Sequence, residues 1–101
     1  DAGTHNINGS LYLDRNNGTI QTVLLAANVT YIGVSNMTAA QSFTIIFTQD
    51  ATGGRTLATD SNWKYASGYK TLSTAGGAID MLNIFYDGTT YYCTLTTGYT
   101  S

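Results

Sequence analysis

The chain has 101 residues, of which 43% are apolar, 12% aromatic and only 10% charged, for a net charge of −2. That suffices for one core in one domain and argues against intrinsic disorder. Its four basic residues, Arg15, Arg55, Lys64 and Lys70, are too scattered for the electropositive stripe that nucleic-acid binding needs, and no run reaches the ~18 apolar residues of a membrane span.

All six acids are aspartate, proline is absent, and Thr, Tyr, Gly, Asn and Ser replace the usual surface helix formers. This composition favours strands joined by polar turns. Residues 1–9 are polar and rich in Gly and Asn, and read as an N-terminal strap or linker stub. A single domain over residues 10–101 follows. Ser10 to Asp14 alternates as a short strand, and Arg15 to Thr19 is a turn by composition. Ile20 to Ala26 is a strand with Val23 and Leu25 set against Gln21, Thr22 and Leu24. Asn28 to Val34 continues it or pairs with it, with Asn28 at a corner or bulge. Residues 35–41 form a polar loop with room for one helical turn.

Ser42 to Gln49 gives the clearest alternation, with Phe43, Ile45 and Phe47 on one face. Asp50 to Gly54 reverses the chain, with both glycines at positive φ and Arg55 placed to pair with Asp50. Arg55 to Ala58 returns as a strand. Residues 59–68 are a longer connection carrying the only Trp, Tyr69 to Ser73 is a short strand, and residues 74–77 turn. Seven or eight such strands imply an all-β fold, an antiparallel β-sandwich or a jelly-roll-like barrel.

Residues 78–97 read as a β-hairpin about Asp87-Gly88, a dipeptide suited to a two-residue type I′ turn. That loop pairs Tyr86 with Thr89, Ile84 with Tyr91, Leu82 with Cys93 and Asp80 with Leu95. The opposite face still carries Ile79, Met81, Phe85 and Tyr92, too apolar for plain solvent. These four residues are the candidate subunit interface, and an uncharged Thr-rich surface suits packing against copies of the same chain.

Candidate chemistry is sparse. There is no glutamate, the one histidine (His5) lies in the polar leader, and no nucleophile motif occurs, so no enzyme and no cofactor is expected. Asp80, on the core-facing register, is expected at a strand end accepting hydrogen bonds. Asp50, Asp60 and Asp87 could offer oxygens to Ca²⁺, but the spacing of a calcium loop is missing and no metal is expected. Gly53-Gly54 beside Arg55 is followed by a strand rather than a helix, which argues against a phosphate cradle. Cys93 cannot form an internal disulfide and is expected as a small buried hydrophobe. Trp63, Tyr65 and Tyr69 share one connection with Asn, Asp and Thr nearby, which makes them the candidate contact for a glycan. Burial of Trp63 would count against that reading.

From Ser42 onward the order of elements resembles a small β-domain of tailed-bacteriophage virion proteins, of the tail fibre, tail spike and surface fibre type. The resemblance rests on Gln49-Asp50, then Gly53-Gly54-Arg55-Thr56, then Trp63-Lys64 and Thr71-Leu72-Ser73-Thr74. Ala78 to Leu82 and Tyr86-Asp87-Gly88-Thr89 complete it, and Val23 to Leu25 with Asn28 to Thr30 fits the opening strands, for a span of residues 20–99. One departure is the absence of proline around Trp63 and in the loop from Ser61 to Tyr69. The resemblance implies a virion structural module at the particle exterior, homo-oligomeric and often trimeric, contacting other virion proteins. The alternatives are a carbohydrate-binding module that meets host-surface glycan, and a capsid decoration protein. The chain starts at Asp1 without Met and reads as processed or as a piece of a longer protein.

Overall fold

Alternation of Leu, Val, Ile and Phe with Thr, Asn and Gln builds eight strands in a computed structural model that describes residues 3–6 and 9–99. They are β1 (Gly3–Asn6), β2 (Ser10–Asp14), β3 (Ile20–Leu25), β4 (Tyr31–Ser35), β5 (Gln41–Gln49), β6 (Trp63–Tyr65), β7 (Ile79–Tyr86) and β8 (Tyr91–Tyr99). Two single turns of 3₁₀ helix, Arg15–Asn17 and Ala66–Gly68, complete the inventory. Within the polar leader, Gly3–Asn6 pairs at the sheet edge, while residues 1, 2, 7 and 8 lie outside the described residues.

The strands form a six-stranded sheet, in the order β1-β3-β5-β7-β8-β6, and a two-stranded sheet of β2 and β4. From β1 to β5 the chain passes alternately from one sheet to the other, and β1–β3, β3–β5 and β2–β4 are all parallel. Each coil therefore lays one strand on each layer, a β-solenoid-like winding rather than an antiparallel sandwich or a jelly roll. Parallel neighbours need a crossover, and here the crossover is a strand in the opposite layer instead of a helix. Only β5–β7 and β7–β8 are antiparallel; β6 adds to β8 in parallel.

The core lies between the layers. Leu11, Leu13 and Ile32 from the small sheet meet Val23, Leu25, Phe43, Ile45, Phe47, Leu82, Ile84 and Leu95 from the large one. Val29 and Leu57, also buried, form an isolated parallel bridge. Asn28 does stand at a corner: its side-chain oxygen accepts from the backbone N–H of Thr56 at 3.1 Å.

Several expected elements differ. The segment Arg55 to Ala58 is a loop apart from the Leu57 bridge, Tyr69 to Ser73 is not a strand, and the Trp63 segment expected as a connection is β6. Lone buried residues at Leu57 and Leu72 supply the apolar signal without sheet pairing on both sides. Residues 35–41 contain no helical turn; Asn36 and Ala40 sit at positive φ instead.

The hairpin register also shifts. The observed pairs are Tyr86 with Tyr91, Phe85 with Tyr92, Ile84 with Cys93 and Leu82 with Leu95. The loop holds four residues rather than two because Oδ1 of Asp87 accepts from the N–H groups of Thr89 and Thr90, at 2.8 and 2.7 Å. Of the two turn residues only Gly88 has positive φ, whereas a type I′ turn requires both. From Tyr86 to Met81 the shift is two residues, so those side chains keep their faces; past a bulge Ile79 lies opposite Tyr99.

Candidate functional site

The outer face of β5, β7 and β8 is set by strand parity. Ser42, Thr44, Ile46 and Thr48 on β5, Ile79, Met81, Asn83 and Phe85 on β7, and Tyr92, Thr94 and Thr96 on β8 alternate with buried core residues. None of these outward residues is charged. Phe85 and Tyr92 are directly opposite one another across the hairpin, 44% and 52% exposed, and Ile79 is 37% exposed while Met81 is half-buried. Beside them Thr44 donates to the side-chain oxygen of Asn83 at 3.0 Å. A shallow trough of about 480 Å³ runs over this face, floored by Thr44, Asn83, Phe85, Tyr92 and Thr94 and bordered by Lys64. The four interface candidates thus share one continuous face, open to solvent in the single chain.

The glycan candidates part company. Trp63 is buried, its ring stacked on Tyr91 at 4.5 Å, and Tyr91 stacks in turn on Tyr86 at 4.4 Å. Tyr65 is half-buried, with its hydroxyl 2.7 Å from Oγ1 of Thr59, and burial pushes its pKa up to about 12. Tyr69 alone is well exposed, its hydroxyl 3.4 Å from that of Thr97. Trp63 is only 5% exposed, and that burial counts against the glycan reading of the Trp63, Tyr65 and Tyr69 group.

The polar groups of the core are occupied. Asp80 is buried; its Oδ2 accepts from the N–H of Ser73 at 2.7 Å, and its Oδ1 from Oγ of Ser73 at 2.8 Å and the N–H of Gly98 at 3.0 Å. This carboxylate pins a bulge in the β7–β8 pairing between Ile79 and Met81. Gln49 is buried as well. Its amide nitrogen donates to the carbonyls of Arg55 and Ser73, both at 2.9 Å, and its oxygen accepts from the N–H of Arg55 at 3.0 Å. Gln21, expected on the outer side, is buried and donates to the carbonyls of Asp14 and Gly18. Parity with Val23 and Leu25 was the available signal for Gln21, and parity with Phe43, Ile45 and Phe47 for Gln49.

Arg55 pairs with Asp50 at 2.8 Å, as expected, and this hydrogen bond holds the Asp50 carboxyl below its ordinary range. Gly53, at φ +72°, lies so close to the carbonyl of Thr74 that no Cβ would fit. The 50–55 loop is therefore locked onto the 73–78 loop and shapes no open anion cradle. Among the described residues no three of His, Cys, Asp and Glu gather where they could hold a metal ion. Cys93 is buried, and desolvation raises its thiol to about 12, which keeps it protonated and unreactive.

Comparison with known proteins places these features in context. The family described as "Putative phage tail fibre C-terminal domain" matches residues 3–91. No curated protein and no solved structure matches the chain.

Proposed function

The chain belongs to the phage tail fibre C-terminal domain family, and on that premise we propose that it is a self-associating, non-catalytic module of the fibre, displayed at the particle exterior. As a phage tail fibre domain it is a structural component of the virion. The observation that carries the proposal is the uncharged outer face of β5, β7 and β8, where Phe85, Tyr92 and Ile79 stand exposed on one surface. An apolar, aromatic face without charge has no desolvation penalty from ionised groups and matches the core of a subunit interface. A second copy of this chain is its occupant, and closed threefold symmetry suits a fibre in which each protomer offers the same hairpin face. A stable exterior module of this kind positions the fibre for host attachment.

The non-catalytic reading draws on the occupied chemistry of the site: Asp80 is committed to three hydrogen bonds, and the Cys93 thiol stays protonated. The test is the solution mass of the chain by size-exclusion chromatography with light scattering, repeated for the Phe85→Ser, Tyr92→Ser double variant. A stable trimer that the double variant turns into folded monomer supports the proposal. A wild-type chain that stays monomeric, or a trimer untouched by both substitutions, would falsify the assignment of this face.

A further inference from the structure

On the small sheet, away from the hairpin face, strand parity turns Tyr12 and Tyr31 outward while Leu11, Leu13 and Ile32 enter the core. Tyr12 is 71% exposed, the highest value for any large hydrophobic side chain among the described residues. The two rings lie 5.8 Å apart, tilted by 53°. Gly33 lies beneath both: a Cβ there would come within 3.2 Å of each ring. The missing side chain thus leaves room for both rings over the strand, Tyr12 exposed and Tyr31 half-buried. Both rings line a trough of about 340 Å³ between β4 and the turn before β6, together with Asp60, Asn62, Trp63 and Tyr91.

We propose that this trough is a saccharide-binding site, with Tyr12 and Tyr31 as its stacking surface and Asp60 and Asn62 as its hydrogen-bonding wall. The lining chemistry carries the choice. Reclined phenol rings offer flat apolar area for the C–H faces of a pyranose, and the carboxylate and amide suit its hydroxyls. No Lys or Arg lines the trough, so phosphate, sulfate and acidic sugars lack a counter-charge, and the ligand class is a neutral sugar. A compact cation is the competing occupant, because rings beside a carboxylate also attract ammonium groups. Geometry disfavours it: Trp63 and Tyr91 stack on each other, leaving two tilted rings as an open bed rather than a closed cage. The volume also falls in the range of small-molecule clefts, larger than a single ammonium group fills. This inference goes beyond the subunit reading and uses none of the hairpin-face residues, so either can fail alone.

The experiment is a titration of the isotope-labelled chain, followed by amide NMR shifts, with maltose, cellobiose and lactose as neutral probes and tetramethylammonium as the cationic one. The expected result is saturable shifts at Tyr12, Gly33 and Asn62 with at least one disaccharide, at the millimolar affinity typical of a small open site. Tyr12→Ala should weaken binding at least about fivefold and Asp60→Asn by a smaller factor, both with an otherwise unchanged spectrum because the two side chains are exposed. Absence of saturable shifts with all three disaccharides would overturn the proposal. So would shifts with tetramethylammonium alone, or disaccharide binding that Tyr12→Ala leaves intact.

Discussion

Between β1 and β5 every pairing is parallel, and strands that are neighbours in a sheet are separated in sequence by a passage through the other layer. β7 and β8, in contrast, meet across a four-residue loop and pair antiparallel. The coil half is held by long-range stacking, and the hairpin half by a local turn that Asp87 closes on its own backbone. What joins them is a buried polar junction. Gln49 at the end of β5 donates to the carbonyl of Ser73, the N–H and hydroxyl of Ser73 donate to Asp80 on β7, and Asp80 also takes the N–H of Gly98 on β8. The coils thus end in a hairpin that is fastened to them by side chains as well as by the β5–β7 ladder.

The largest effect should therefore come from the junction. Asp80→Ala strands the N–H groups of Ser73 and Gly98 where no solvent reaches Asp80, and should cost about 3 kcal/mol or more. Urea unfolding with an unchanged slope and a lowered midpoint would show it. Asp80→Asn, which keeps an acceptor, should lose less. Next comes Gln49→Leu, which preserves buried volume but removes three hydrogen bonds across two loops, for about 2 kcal/mol. Within the coils Gln21→Leu is the matched control. It frees only two carbonyls, those of Asp14 and Gly18 at a surface turn, and should cost about 1 kcal/mol. Equal losses at Gln21 and Asp80 would break the contrast between a fastened junction and a simple coil turn.

The same contrast explains what could be read from the chain beforehand. The hairpin and the facing of its residues were legible because alternation and a turn dipeptide act over neighbouring positions. Its register was not, since whether Asp87 lends its backbone or its carboxylate to the turn moves the pairing by two residues without changing any face. The parallel winding left no comparable mark. Half-buried strands alternate alike in parallel and antiparallel sheets, and the coils differ in length: Gly3 lies beside Thr22 but Ile20 beside Thr44. No clean repeat could betray it. Among the site residues, outward parity placed Ile79, Met81, Phe85 and Tyr92 together. Trp63 looked like a loop aromatic because β6 is only three residues long and draws its partner, β8, from far along the chain. Tyr12 and Tyr31 come together only through a parallel pairing that sequence spacing does not announce.

Acid should produce the smallest effect and the finest map of the two halves. Asp14 in the coils is held below its ordinary pKa of 3.8 chiefly by the Asn36 side chain, and then by the N–H of Asn16. Asp50 at the junction is lowered first by Arg55, and Asp87 in the hairpin loop by the N–H groups of Thr90 and Thr89. A folded-state pKa below the unfolded one means that each stabilising term is fully present above about pH 4. Each is lost as pH falls below 3.8 and through the lower folded value. Asp87 is exposed and Asp14 and Asp50 are partly covered at the surface, where solvent still reaches them, so the loss is modest and screened by salt. Urea midpoints between pH 7 and pH 2 should fall more steeply for the wild type than for the Asp14→Asn, Asp50→Asn, Asp87→Asn triple variant, with the curves converging at the acid end. Single variants then locate the sensitivity. If Asp87→Asn flattens the curve and Asp14→Asn does not, the hairpin turn is the acid-labile element and the coils are indifferent; the reverse result would mean that the coil turns, rather than the hairpin loop, depend on their carboxylates.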